Sequence, residues 1–303
     1  MFQRLALIGC GLIGGSFALA AKRTGLVREA VGYSLQAASS QLALERGAID
    51  TIANSAGDAV AQADLVLVAV PVGASAEVFD ALREHLLPTT LLMDVGSTKR
   101  DVVRAAQANL GERLSNFVPA HPIAGKAQAG MAHADADLFV NAKVILTPLA
   151  GTDAARVRRA HSVWTTLGAQ VIEMSAEAHD HRLAAVSHLP HLLAFAAMNG
   201  LARQRDMRDS LRLAGPGFRD FTRIAGSDPT VWRDILLANR DEVLQQSREF
   251  RHALDQLEAA LRADTAPALE SLLEGASTLR SQWRLNDSDN DNDSDTSDEA
   301  DPP

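Results

Sequence analysis

The sequence predicts an α/β fold in which a parallel sheet covered by helices is followed by an all-helical region. Three observations predict it. Short apolar runs rich in Val, Leu and Ile alternate with helix-like stretches from Arg4 to Thr147. A glycine-rich turn follows the first run. Beyond Met174 the strand pattern stops and long helical periodicities continue to about Trp283. A chain of 303 residues exceeds the usual size of one core, so the reading is of two domains, 1–174 and 175–285, with a tail at 286–303.

The predicted strands, in order, are RLALIG from Arg4, EAVGYS from Glu29, LVLVAV from Leu65, TLLMDV from Thr90, NFVPA from Asn116, KVILTP from Lys143 and QVIEM from Gln170. Asp153 to Leu167 reads as an amphipathic helix, which makes the strand ending at Met174 the last of the first domain. In the helical region, the stretch from Pro229 through Ala263 reads as one long helix, opened by Asp228 as N-cap and Pro229 in the first turn. Its apolar positions, among them Ile235, Val243, Leu244, Phe250, Leu254 and Leu261, need a partner face, and a dimer built on these helices is the expectation.

Charge and composition exclude several classes. The formal net charge is -9, but Asn286–Pro303 holds eight of the acidic residues and no basic one, so the rest of the chain is nearly neutral. That leaves no basic footprint for nucleic acid. The tail is too polar to offset its ordering entropy by burial and is expected to be disordered. No apolar run approaches the length of a membrane span. The opening MFQRLALIGCGLIGGSFALAAK reads as strand, turn and helix rather than an export signal. With Cys10 as the single cysteine, no intramolecular disulfide is possible, which agrees with a reducing, cytoplasmic compartment.

The turn Gly9-Cys10-Gly11-Leu12-Ile13-Gly14 lies between a predicted strand and a helix, the context of a dinucleotide-binding fingerprint. Gly9 permits the tight turn, Gly11 lets pyrophosphate approach the backbone, and Gly14 allows close helix packing. Amide groups of the first helical turn, including those of Leu12 and Ile13, then face the phosphates. At the end of the second strand stands Ser34, where an acid would hydrogen-bond a ribose 2′-hydroxyl and repel a 2′-phosphate. No Arg follows it immediately, so NADP and NAD are both admissible, with NADP favoured slightly. Val70-Pro71 and the stretch from Asp94 to Lys99 end the next two strands at the edge where ligands bind. Ser97 there serves either as an N-cap or in the site. His121, just after a strand ending at the same edge, is aimed at the nicotinamide.

Six blocks, GCGLIGGS, DVGSTK, HPIAG, DLFVNAKVILTP, SHLPH and GFRDFTRIAGSDPTVWRDI, occur in an order and approximate spacing that resemble the prephenate and arogenate dehydrogenase family, nearly to Trp283. The resemblance implies a Rossmann-type dinucleotide-binding domain followed by a helical dimerisation domain, a homodimer, and NAD(P)-dependent oxidative decarboxylation of prephenate to 4-hydroxyphenylpyruvate in tyrosine biosynthesis. Arogenate, or both acids, are the alternative substrates. It further implies that His121 accepts the hydrogen bond of the ring hydroxyl, that Ser97 orients it, that Arg223 holds a substrate carboxylate, and that His188 borders the pocket. Spacing adds that His188 and His191, and likewise Asp220 and Arg223, lie three residues apart on a helical face.

His179, His181, His188 and His191 together raise a competing reading as a zinc site, which the lack of clustered acidic or thiolate ligands disfavours. No metal is expected. Lys126 follows HPIAG where the family often has a small hydroxyl residue, and it either faces the substrate, favouring prephenate over the ammonium of arogenate, or points to solvent. Outside this family, a β-hydroxyacid dehydrogenase and a dinucleotide sensor without catalysis are the competing readings.

Overall fold

The computed structural model describes residues 1–126, 128–263 and 266–283. The acidic tail expected at 286–303 lies outside the described residues, as do Ala127 and the end of the second expected domain. Nine strands are described: β1 (Phe2–Ile8), β2 (Val27–Tyr33), β3 (Thr51–Ile52), β4 (Leu65–Val68), β5 (Leu91–Asp94), β6 (Phe117–Val118), β7 (Ala120–Ile123), β8 (Lys143–Leu146) and β9 (Gln170–Glu173). Between and after them run α1 (Leu12–Arg23), α2 (Ala37–Glu45), α3 (Ala56–Val60), α4 (Ser75–Arg83), α5 (Arg100–Asn109) and α6 (Ala154–Thr166). The helical region holds α7 (Ala176–Leu183), α8 (Leu189–Ala202), α9 (Met207–Arg212), α10 (Pro216–Thr222), α11 (Pro229–Ala238), α12 (Arg240–Arg262) and α13 (Ala266–Gln282).

The first six strands form one parallel sheet in the order β3-β2-β1-β4-β5-β6, with a crossover at β1. Strict alternation along the central strands feeds two cores. Leu5, Leu7, Leu65, Leu67, Leu91 and Met93 point to one side, where Phe17, Phe139 and Trp164 pack edge to face with centroids 5.1–6.5 Å apart. Ala6, Ile8, Val66, Val68 and Leu92 point to the other, against Phe79 and Phe117. Burial on both faces explains why these strands read as continuous apolar runs.

Two expectations need correction. The run NFVPA is not one strand of the parallel sheet: it divides at Pro119 into β6, which pairs with β5, and β7, which pairs antiparallel with β8 in a separate three-stranded sheet. His121 is therefore inside a strand rather than just beyond one. The long helix expected from Pro229 is also broken. Asp228 caps α11 as anticipated, accepting from the backbone N–H groups of Thr230 and Val231. At Asn239 the chain leaves helical geometry before α12 begins, because the buried Asn239 amide is drawn into the hydrogen bonds described below.

The chain divides into two compact units, Met1–Gln246 and Ser247–Pro303. The change from sheet to helices at residue 174 lies inside the first, since α7 is tied to the start of α5. A π-turn at Ala184–His188 joins α7 to α8 just before Pro190, whose missing N–H removes one regular helical bond there. Along α12, Val243 is buried while Leu244, Phe250, Leu254 and Leu261 are exposed. Leu272, Leu273 and Leu279 of α13 are exposed as well. No helix among the described residues is long and apolar enough to cross a membrane.

At the first turn after β1, Gly9 has φ +101°, and a Cβ on Gly14 would stand 2.3 Å from the Gly9 carbonyl oxygen and 2.9 Å from the side chains of Ala69 and Leu7. Backbone cannot yield as a flexible side chain does. Gly14→Ala should therefore cost about 1–3 kcal/mol of stability, read as a lower urea midpoint and Tm.

Candidate active site

The carboxyl ends of β1, β2 and β4 open into a cleft of ≈ 690 Å³. Gly9, Gly11, Ser34, Val70 and Pro71 line it. A Cβ on Gly11 would meet no atom within 4 Å, so the backbone there faces open space. Leu12, Ile13 and Gly14 form the first turn of α1, whose N-terminus has no side-chain cap and no acid nearby. Unclaimed N–H groups beside an open cleft suit an anionic pyrophosphate. The residues present thus fit a dinucleotide. Beside Ser34 stand Leu35 and Gln36, so the residues that follow β2 in the cleft bring neither an acid to repel a 2′-phosphate nor a cation to clamp one. Cys10 is buried, with its thiol pKa raised by that burial and only partly relieved by Ser40, which leaves it a poor nucleophile.

A second cluster forms where β5, β7, α5, α7 and α11 meet. Its backbone clamp is a buried ion pair: Lys99 Nζ donates to Asp94 Oδ2 at 2.6 Å and to the Ala120 carbonyl oxygen at 2.7 Å. Asp94 Oδ1 accepts from Ala120 N–H at 3.1 Å. The two charges together grip the residue immediately before His121 on both its amide and its carbonyl. Burial depresses the Lys99 pKa, with Asp94 and Asp180 opposing that shift.

Asp180 then joins two elements. Its Oδ1 accepts from Lys99 N–H at 2.8 Å and its Oδ2 from Arg100 N–H at 2.9 Å, so a carboxylate from α7 caps the N-terminus of α5. Ser97 is therefore not the cap of α5. The cap is Asp180, while Ser97 stands half-buried in the loop between β5 and α5, with no hydrogen bond to His121 among the described residues. Burial acts to raise the Asp180 pKa, but hydrogen bonds from His179, Arg100 and Lys99 outweigh it and hold the carboxyl below its ordinary value.

The imidazoles continue from there. His179 Nδ1 lies 2.8 Å from Asp180 Oδ1, and His179 Nε2 lies 2.8 Å from His121 Nδ1. His121 Nε2 has no hydrogen-bond partner among the described residues. Burial, then the neighbouring His179, Lys99 and His188, push the His121 pKa well below its usual value, so the ring is a neutral acceptor at pH 7. Asn239 Nδ2 donates to the Asp180 carbonyl at 2.7 Å and stands 3.0 Å from His188 Nδ1. His188 and His191 both face Trp232, the latter stacked at 3.5 Å.

Arg223 begins a short 3₁₀ turn after α10 and is exposed. Its charge, after burial, helps to lower the His191 pKa. The Asp220 side chain pairs with Arg219 at 3.1 Å. Each of the four clustered imidazoles has its own partner: Asp180 for His179, Glu242 for His181, Asn239 for His188 and the Ser187 carbonyl for His191. The sequence reading missed Asp94, Lys99, Asp180, Asn239 and Trp232 as members of the site. Lys99 sits in the DVGSTK block and Asp180 directly follows a histidine, but neither position announces its partner.

Comparison with known proteins decides the family. A model described as the prephenate dehydrogenase nucleotide-binding domain matches residues 17–173, and the prephenate dehydrogenase dimerization domain matches residues 175–275. The chain belongs to the prephenate dehydrogenase family. Among its relatives, the prephenate dehydrogenase of Bacillus subtilis is 36% identical over 92% of this chain and 76% of its own length. The cyclohexadienyl dehydrogenase of Zymomonas mobilis is 36% identical over 86% of this chain and 89% of its own. In structure, prephenate dehydrogenase of Aquifex aeolicus, solved with hydroxyphenyl propionate and NAD+, superposes with a TM-score of 0.87 at 34% identity, covering 93% of this chain and 98% of that one. Synechocystis arogenate dehydrogenase gives 0.78 at 29% identity, over 93% of this chain and all of that one (100%). The match to a nucleotide-binding domain and the likeness to a structure solved with NAD+ support the use of NAD(P).

The buried imidazoles make stability depend on pH. His188 has its pKa lowered by burial from 6.5 to about 4, and those of His121 and His179 are lowered too. As pH falls from about 6.5 to about 4, the unfolded chain binds protons that the folded chain refuses, so stability present above that window is lost within it. His188 alone should contribute about 1.4 kcal/mol per pH unit there. The urea midpoint should fall steadily across the window; a flat profile would mean that these rings charge freely in the native state.

Proposed function

We propose that this chain is an NAD(P)-dependent prephenate dehydrogenase that converts prephenate to 4-hydroxyphenylpyruvate, with arogenate as an alternative substrate, in the cytoplasm and as a homodimer. The observation that carries the reading is the buried, neutral His121, whose Nδ1 is engaged and whose Nε2 is left free for a substrate hydroxyl. Family membership and the likeness to a structure holding NAD+ support the cofactor class. The dimerization-domain match and the exposed apolar side chains of α12 and α13 support the second copy.

Gly9–Gly14, Ser34, Val70 and Pro71 would hold a nicotinamide dinucleotide, which would supply the hydride acceptor. The chain's own residues do the rest. His121 Nε2 takes the proton of the ring hydroxyl as the carbon bearing it is oxidised, and the opposite carbon loses its carboxylate as carbon dioxide, leaving an aromatic ring. Arg223 presents a planar fork to a substrate carboxylate, Ser97 stands on the loop that leads into α5, and His188 walls the site beside Trp232. Burial of the imidazoles excludes water and holds the His121 pKa well below its ordinary value.

Turnover of prephenate and arogenate with NAD and with NADP tests the whole reading, and binding of a dinucleotide without turnover of either acid would select a sensor instead. His121→Asn should lower kcat by about 10²- to 10⁴-fold with little change in KM. Arg223→Ala should mainly raise KM. Lys126 is ion-paired with Asp135 at 2.9 Å on a partly exposed side chain, so its charge is largely screened. Lys126→Ala should therefore shift the ratio of kcat/KM for prephenate and arogenate by less than about fivefold; a larger shift would put its ammonium at the substrate.

A further inference from the structure

Asp180, His179 and His121 form an unbroken line of hydrogen bonds in which each partner dictates the next. The Asp180 carboxylate already accepts from Lys99 N–H and Arg100 N–H, and being ionised it offers no proton of its own. His179 Nδ1, 2.8 Å away, must therefore be the donor. A neutral ring protonated at Nδ1 has only a lone pair at Nε2, so the 2.8 Å contact there requires His121 Nδ1 to donate. The lone pair of His121 is left at Nε2, the atom without a partner.

We propose that His179 and Asp180 are positioning residues for the reaction: they fix His121 in the tautomer whose free lone pair is Nε2 and hold its ring in place. This rests on the reading that His121 accepts the hydroxyl proton. In that step the substrate O–H bond breaks and an N–H bond forms at His121 Nε2, while the hydride of the same carbon would pass to the dinucleotide and the opposite carboxylate leaves as carbon dioxide. The resulting positive charge faces Asp180 through His179 until the proton returns to the phenolate oxygen. Both hydrogen bonds are retained, and no proton need leave the line until the product departs. The Lys99–Asp94 clamp fixes the backbone before His121, whereas it leaves the ring free to rotate; the ring is held by His179.

Three readouts test this. In protein labelled with 15N on histidine, the His121 ring of the parent should be protonated at Nδ1 and bare at Nε2; the reverse overturns the proposal whatever the enzyme does. His179→Phe keeps an aromatic ring but removes the acceptor, and should lower kcat about 10²-fold while KM for prephenate and the affinity for dinucleotide stay within about twofold. His179→Gln, whose carbonyl oxygen accepts from His121 Nδ1, should recover kcat to within about tenfold of the parent and restore the Nδ1-protonated signal. Equal loss in both folded variants, or no loss in either, would refute the positioning role. Should the parent turn over neither acid, the functional reading fails, while the tautomer measurement still judges the line itself.

Discussion

The carboxylate of Asp180 ties together parts of the chain that the sequence keeps far apart. One oxygen accepts from Lys99 N–H and His179, the other from the backbone and side chain of Arg100. A helix N-terminus presents unsatisfied N–H groups and a partial positive charge, so an anion there is stabilised twice over. Docking α7 onto α5 thus completes the helix and orients the imidazole line in a single contact. Remove that carboxylate and both the end of α5 and the orientation of His179 lose their anchor.

Around it the interior is unusually polar. Lys99, Asp94, His179, Asp180, His188 and Asn239 are each almost inaccessible to solvent. Burying a charge is costly unless every lone pair and proton finds a partner, and breaking such a pair leaves an uncompensated ion. Here the partners are found: Lys99 is shared between Asp94 and the Ala120 carbonyl, and Asn239 between the Asp180 carbonyl and His188. Such a network adds little net stability over an apolar core of equal volume. What it supplies is a fixed geometry around His121, which a proton acceptor needs more than it needs burial energy.

The break between α11 and α12 follows from the same network. The apolar spacing runs on through Asn239, which is why the stretch reads as one helix. Yet the Asn239 amide, fully buried, serves Asp180, His188 and Arg100 at once, and a side chain so engaged sets the backbone conformation around it. The π-turn before Pro190 acts similarly on the other side, placing His188 on the same polar cluster.

The sequence by itself determined the sheet of alternating strands, the glycine turn that opens α1, and the residue types on offer at the strand ends, because those depend on neighbours a few positions apart. It also singled out His121, though it placed that residue just beyond a strand of the parallel sheet and not inside β7. It could not determine that His179 would be His121's partner, that Asp180 would cap α5, or that Pro119 would divide one apolar run between two sheets. The Lys99–Asp180 contact spans 81 positions, and Asn239 meets Asp180 from 59 away. Such pairings arise only when packing brings the elements together, and spacing along a chain carries no record of which buried donor will face which acceptor. Tertiary structure decided that, through the rule that a buried polar group must find a partner.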